Sequence, residues 1–323
     1  MKRIIMLSTL AAVLLAGCSN EETTSTTGAK ELGMTVKVSS TSATRSLTDV
    51  FSSTDKIGTF ITGTGYTSKL AAYALNVGVW DSPALEADKI YLTGQSATVY
   101  GFFPSTATCD MGAKTIITTV NASDNFAATA ATDFMYGLGY DGSVYSLAHA
   151  SSLTAATAKP DLYFFHALTK VSFVVNKAST YPVSTAAGKL TQIQLTALAA
   201  DKFALQGITS LTDGTFIPSA TAALLTNTLT LTAPSAVNIN DYSTTASTTV
   251  NAFGLFAPCA DLSGVTLSLT IDGKVLSAAL PTTAWAKGKN YIYTITVSGT
   301  ELKVGTVQII SWNPSNETGI QVN

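Results

Sequence analysis

The chain has 323 residues, of which 46% are hydrophobic and only 12% charged, with a formal net charge of −2. Near-neutral charge without a basic cluster excludes binding through nucleic-acid phosphates, which needs Lys and Arg to neutralise them. The length exceeds the ~250–300 residues at which a single core stops growing, so two domains are expected.

Lys2 and Arg3 precede an apolar run of 13 residues, Ile4 to Ala16. That run is too short for a bilayer core of ~30 Å, which takes about 20 helical residues. It ends in Leu15-Ala16-Gly17 directly before Cys18, which resembles a lipobox. Residues 1–17 then read as a lipoprotein signal peptide and Cys18 as the acylated first residue of the exported chain. The alternative is an ordinary secretory signal with a chance cysteine. Ser19-Asn20-Glu21-Glu22 resembles the surface-export signals of Bacteroidota lipoproteins. Residues 19–30 hold no large apolar side chain and read as a tether.

Period-two alternation dominates the rest of the chain, the mark of half-buried strands. Met34, Val36 and Val38 share one face, with Thr35 and Lys37 on the other. Further strands are expected at Lys56 to Thr62, Ala97 to Phe103 and Ile116 to Val120, and a single helical turn at Leu70 to Leu75. Trp80 lies in a turn-rich region. Residues 149–160 are small and polar and read as the connection between two domains, 46–158 and 159–323. Beyond them, strands are expected at Lys170 to Val175, around Ile193 and Leu195, around Leu229 and Leu231, at Tyr291 to Val297 and at Thr306 to Trp312. Val265 to Leu280 reads as a hairpin, because Asp272-Gly273 is a type I′ turn signal in which both central residues take positive φ. No segment after the signal sustains a helical period. The expectation is an all-β chain of two sandwiches.

No catalytic constellation stands out. His149 and His166 are the only histidines, and His166 sits in an apolar setting that favours a structural role. No GxSxG surrounds a serine. Gly137-Leu138-Gly139-Tyr140-Asp141-Gly142 fits GxGxxG, but no helix pattern comes after it to bind a phosphate at its N-terminus, so it reads as a loop. Carboxylates are scattered, no Cys/His spacing suits a metal, and no cofactor is expected. Cys109 and Cys259 are as readily two buried thiols as a disulfide. Trp80, Trp285 and Tyr242 would stack on sugars if exposed, although core packing is the commoner fate of such residues.

Several segments, in order, resemble the fimbrillin family, the pilus subunits of Bacteroidota. Thr44-Arg45-Ser46 precedes Phe51 and Asp55-Lys56-Ile57-Gly58-Thr59-Phe60. Trp80 precedes Val99-Tyr100-Gly101-Phe102-Phe103-Pro104. Asp133-Phe134-Met135-Tyr136-Gly137 leads to Phe165-His166-Ala167-Leu168-Thr169-Lys170-Val171-Ser172-Phe173. Trp285-Ala286-Lys287-Gly288-Lys289-Asn290-Tyr291 leads to Ile310-Ser311-Trp312. The resemblance implies two transthyretin-like β-sandwich domains in tandem, no enzymatic activity and export as a lipoprotein to the outer membrane. It implies maturation by an arginine-specific protease and assembly with other fimbrial subunits by strand exchange. On its own Arg45-Ser46 is a commonplace dipeptide; the resemblance makes it the processing site. Residues 18–45 then form a lipidated propeptide with Met34, Val36 and Val38 on a removable strand. A neighbour's C-terminal segment would replace that strand, with Val307, Ile309, Ile320 and Val322 as candidate donor residues. The rival reading is a monomeric surface lipoprotein that binds glycans or host ligands.

Overall fold

A computed structural model describes residues 28–38, 51–76, 79–141, 143–182, 187–242, 247–312 and 320–322. Strands β1 (Lys30–Glu31) and β2 (Thr35–Val38) come first. They are followed by β3 (Lys56–Thr62), β4 (Ala71–Asn76), β5 (Val79–Asp81), β6 (Tyr91–Leu92) and β7 (Thr98–Phe103). Next come β8 (Cys109–Asp110), β9 (Thr115–Thr119), β10 (Ser123–Asn125), β11 (Met135–Tyr140), β12 (Tyr145–Ser146) and β13 (Asp161–His166). The second half holds β14 (Thr169–Lys177), β15 (Lys189–Ala197), β16 (Phe203–Ala204), β17 (Gln206–Ser210), β18 (Phe216–Pro218), β19 (Leu225–Thr226) and β20 (Thr228–Asn238). It closes with β21 (Ala252–Phe256), β22 (Val265–Ile271), β23 (Lys274–Ala279), β24 (Lys289–Val297), β25 (Leu302–Ser311) and β26 (Ile320–Val322). The described residues are all-β apart from four single 3-10 turns.

Alternation builds these strands as expected. In β22, Val265, Leu267, Leu269 and Ile271 are buried while the intervening Thr and Ser are half-buried. The β22–β23 hairpin turns at Asp272 and Gly273, with φ of 50° and 76°, so the type I′ signal is realised.

The first half is one large sheet in the order β2-β13-β11-β7-β3-β4-β5. Its two faces pack on two different cores. Ile57, Ile61, Tyr73, Val99, Met135 and Phe164 face one core. Phe60, Tyr100, Phe102, Tyr136 and Phe165 face another, which also takes Leu211, Leu255 and Trp312 from the second half. The second half is a two-layer sandwich. Its sheets run β10-β20-β15-β22-β23 and β21-β14-β24-β25-β26, with Phe173, Leu195, Leu269 and Tyr293 in the core between them.

The halves are interlocked. β10 pairs in parallel with β20, and β9 pairs with β17 in a small sheet drawn from both halves. Residues 147–158, within and beside the expected connection, instead close the first core with buried Ala150, Leu153 and Ala158. The strand after them, β13, lies inside the first sheet between β2 and β11.

Two local expectations are corrected. Leu70 to Leu75 is not a helical turn but part of β4, because Ala71 and Tyr73 alternate into the core and the strand pairs with β3. Gly137 to Tyr140 of the GxGxxG stretch do not form a loop but lie in strand β11, between β13 and β7. Gly139 is there because a Cβ would come within 2.4 Å of the His149 backbone carbon, so only glycine lets the 147–150 turn lie against the strand.

Candidate functional site

Met34, Val36 and Val38, expected on a removable strand, fall on the described segment 28–38. Its main chain is fastened at both ends. Lys30 and Glu31 pair antiparallel with Leu92 and Tyr91. The Leu32 amide donates to the Ile90 carbonyl at 2.8 Å, the Gly33 amide to Ala158 at 2.9 Å, and the Thr35 amide to Pro160 at 3.0 Å. From Thr35 to Val38 the chain runs parallel to β13, opposite Asp161, Leu162, Tyr163 and Phe164. β2 is the end strand of the large sheet, with β13 as its one paired neighbour among the described residues.

Side chains plug the core beneath. Leu32 is fully buried and Met34 is 4% exposed. Val36 is half-buried against the same core. For Val38 the backbone lies opposite Phe164, at the end of the register. The Tyr73 hydroxyl donates to the Leu32 carbonyl at 2.7 Å, and burial pushes its pKa well above the usual tyrosine range. Thr59 Oγ1 lies 3.9 Å from Met34 Sδ.

Two cations tie the segment to its surroundings, Lys89 from outside it and Lys37 from within it. Lys89 Nζ sits 3.2 Å from Glu31 and 3.3 Å from Glu86, and these bonds raise its pKa, that to Glu31 first. Lys37 is exposed, donates to the Tyr163 hydroxyl at 3.2 Å and lies over its ring, and that hydrogen bond raises its pKa. An open cleft runs between Glu31, Leu32 and the β5 residues Trp80 and Asp81, so the outer flank of the segment faces solvent.

Leu32 is the residue that sequence reasoning missed. The alternation Leu32, Met34, Val36, Val38 starts two residues earlier than expected, and burial deepens toward that end. The signal is present in the sequence, masked by Gly33 and by the charged pair Lys30-Glu31 before it.

The candidate donor residues divide. Val307 is buried in the second core and Ile309 packs partly against it, with β25 held between β24 and β26. Ile320 and Val322 lie on β26, the edge strand, with backbones opposite Ile309 and Val307. Cys18, Arg45 and Ser46 lie outside the described residues.

Elsewhere the side chains are committed to structure. His166 is buried with Nδ1 3.0 Å from the Asp133 carboxylate, and its ring stacks on Trp312 at 3.7 Å. Trp80 and Trp285 are both buried, and Trp285 donates to the Tyr293 hydroxyl; of the three candidate sugar-stacking aromatics only Tyr242 is exposed. Cys109 and Cys259 are free thiols packed against different cores, and burial pushes Cys109 up to about 11. Among the described residues no three His, Cys, Asp or Glu gather as a metal site.

An end strand that fills a core can be removed without breaking the rest of a sheet. Its loss uncovers an apolar trough and a row of unpaired backbone groups, a surface that accepts another strand.

Residues 44–312 match the profile of the fimbrillin-like family. Among solved structures, the chain is similar to a candidate cell adhesion protein of Bacteroides uniformis, at 16% identity and a TM-score of 0.60, over 88% of this chain and 100% of that one. A candidate cell adhesion protein of Bacteroides ovatus aligns with a TM-score of 0.61 at 14% identity, over 89% of this chain and 99% of the other. A fimbrial protein of Bacteroides vulgatus aligns with a TM-score of 0.60 at 13% identity, over 88% and 100%. No curated protein sequence matches the chain.

Proposed function

The chain belongs to the fimbrillin-like family, a family of structural and not catalytic proteins, and from that premise we propose that it is a subunit of a cell-surface fimbria that serves adhesion. The precursor is a lipoprotein held at the outer membrane through Cys18. An arginine-specific protease cuts after Arg45, leaving Ser46 as the first residue. That cut severs the lipid and the 28–38 segment from the rest of the chain together. A strand from a neighbouring subunit then takes the vacated place.

The observation that carries this reading is the plug. Residues 28–38 fill a core through Leu32 and Met34, yet they end one edge of the sheet and precede Arg45 in the chain. A fully buried side chain of this kind is worth roughly 1.5–3 kcal/mol, so the trimmed subunit has reason to take a replacement. Among the candidate donor residues, our reading favours Ile320 and Val322. Withdrawing Val307 would open the second core, whereas Ile320 and Val322 occupy an edge strand of three residues. The adhesion and fimbrial roles given to the structurally similar proteins fit the same reading. The glycan-binding alternative loses two of its three stacking candidates, because Trp80 and Trp285 are buried and Tyr242 alone is exposed.

The test uses the delipidated precursor, incubated with an arginine-specific protease and run unboiled on a gel. A ladder of higher species is expected, and Arg45→Ala should abolish it. A trimmed monomer that never forms a ladder, alone or with sibling subunits, refutes assembly. A ladder that survives Arg45→Ala refutes the processing site.

A further inference from the structure

The small sheet shared by the two halves runs β18-β17-β9-β8 and has one buried face and one open face. Ile116, Thr118 and Thr209 are buried on the inner side. Alternation then turns Ile117 and Ile208 outward. The register sets Ile117 opposite Ile208, and Ile208 opposite Ile217, so the three isoleucines form a row across three strands. Ile208 is 41% exposed and Ile217 56%, while Ile117 is half-buried. Thr115, Thr119, Gln206 and Ser210 flank the row, and Asp110 stands at the β8 corner.

The edge of this sheet is closed to a further strand. The Ser219 amide donates to Gln206 and the Ser210 amide to Thr215, each at 2.9 Å. Residues 215, 217 and 219 therefore turn their main chain toward β17, and Phe216 and Pro218 turn theirs outward. Pro218 has no N–H to offer there, a common guard on an edge strand. A partner has to stack on the face.

We propose that this face is a contact between two copies of the chain, packed sheet on sheet. Its symmetry points to a second copy. The row is centred on Ile208, so a two-fold axis along β17 lays Ile208 on Ile208, and Ile117 on Ile217 of the other copy. Charge agrees. The row and its flanks are uncharged, and the same axis carries the two Asp110 carboxylates to opposite rims. The contact is small. Four strands about 4.8 Å apart and at most five residues long cover far less than the ~800 Å² per partner of a standard interface. A single pair is therefore weak and concentration-dependent. Along a polymer the contact repeats with every subunit and draws filaments side by side. That extension rests on the strand-exchange reading above; the pairwise contact does not.

Sedimentation velocity of the delipidated chain carrying Arg45→Ala tests the contact with proteolytic maturation blocked. A dimer that grows with concentration is expected. Ile208→Lys places two cations together on the axis and should weaken it at least ten-fold. Val275→Lys, on an equally open strand elsewhere, should leave it unchanged. A chain that stays monomeric up to about 1 mM overturns the proposal. So does a dimer that survives Ile208→Lys or is lost with Val275→Lys. Circular dichroism of each variant confirms that the exposed substitution leaves the fold intact. In electron micrographs of the trimmed chain, filaments should bundle, and Ile208→Lys should leave them single. Bundles that persist in Ile208→Lys overturn the side-by-side association. A trimmed chain that forms no filaments overturns strand exchange and leaves the pairwise contact to the sedimentation result.

Discussion

Leu32 is fully buried, Met34 nearly so and Val36 only half, and this gradient ranks what their loss should cost. Leu32→Ala in the intact precursor should lower unfolding stability by about 2–5 kcal/mol, the range for a leucine deleted from a core. Val36→Ala should cost clearly less. Urea denaturation measures both, and neither change should matter once Arg45 has been cut and the segment removed. Tyr73 closes the same site. Burial raises its pKa above the unfolded value near 10, so it contributes stability that is complete below about pH 10 and is lost as pH rises further. Tyr136 and Tyr293 are raised by burial in the same direction. An absorbance titration of the 12 tyrosines should therefore show a group that ionises only as the protein unfolds in alkali. Smooth ionisation of all 12 near pH 10 in the folded protein would contradict the burial of these three. At this scale much is legible. Alternation alone picks out Met34 and Val36. Leu32 is hidden because a charged pair before it and a glycine after it break the pattern, although tertiary packing needs only the next side chain in phase.

Among the elements, β11 shows how a motif can mislead. Gly137 and Gly139 sit in a strand, Gly137 beneath the Phe164 ring and Gly139 beneath the His149 backbone. Their spacing mimics a phosphate loop only because both close approaches fall on the same face, two residues apart. Gly139→Ala should displace the 147–150 turn and destabilise the protein by about 1–3 kcal/mol, as overpacked sites do. Thermal unfolding checks this, and an unchanged melting temperature would show that the turn is not pressed against the strand. The hairpin at Asp272-Gly273 is legible because its turn chemistry is local. The parallel pairing of β2 with β13 is not, since the partners lie some 126 residues apart, as Lys37 and Tyr163 do, and alternation carries no information on strand direction.

For the whole molecule, the sequence pattern speaks for two sandwiches, and the second half is one. What it does not disclose is the interlocking. β9 and β10 of the first half pair with β17 and β20 of the second, and a shared aromatic core runs from Phe60 to Trp312. Such long-range pairings leave no local trace. They predict a single cooperative unfolding transition by calorimetry, where loosely tethered domains would give two. Against this interlocked body, β2 of the 28–38 segment is an end strand paired with β13 alone among the described residues, and our proposal makes this segment the part that leaves. Native mass spectrometry of the delipidated chain, before and after cleavage at Arg45, tests that claim most directly. The account predicts that the fragment carrying residues 28–38 is lost as masses climb in steps of one trimmed subunit. A cut chain that keeps the fragment and stays a monomer would contradict it.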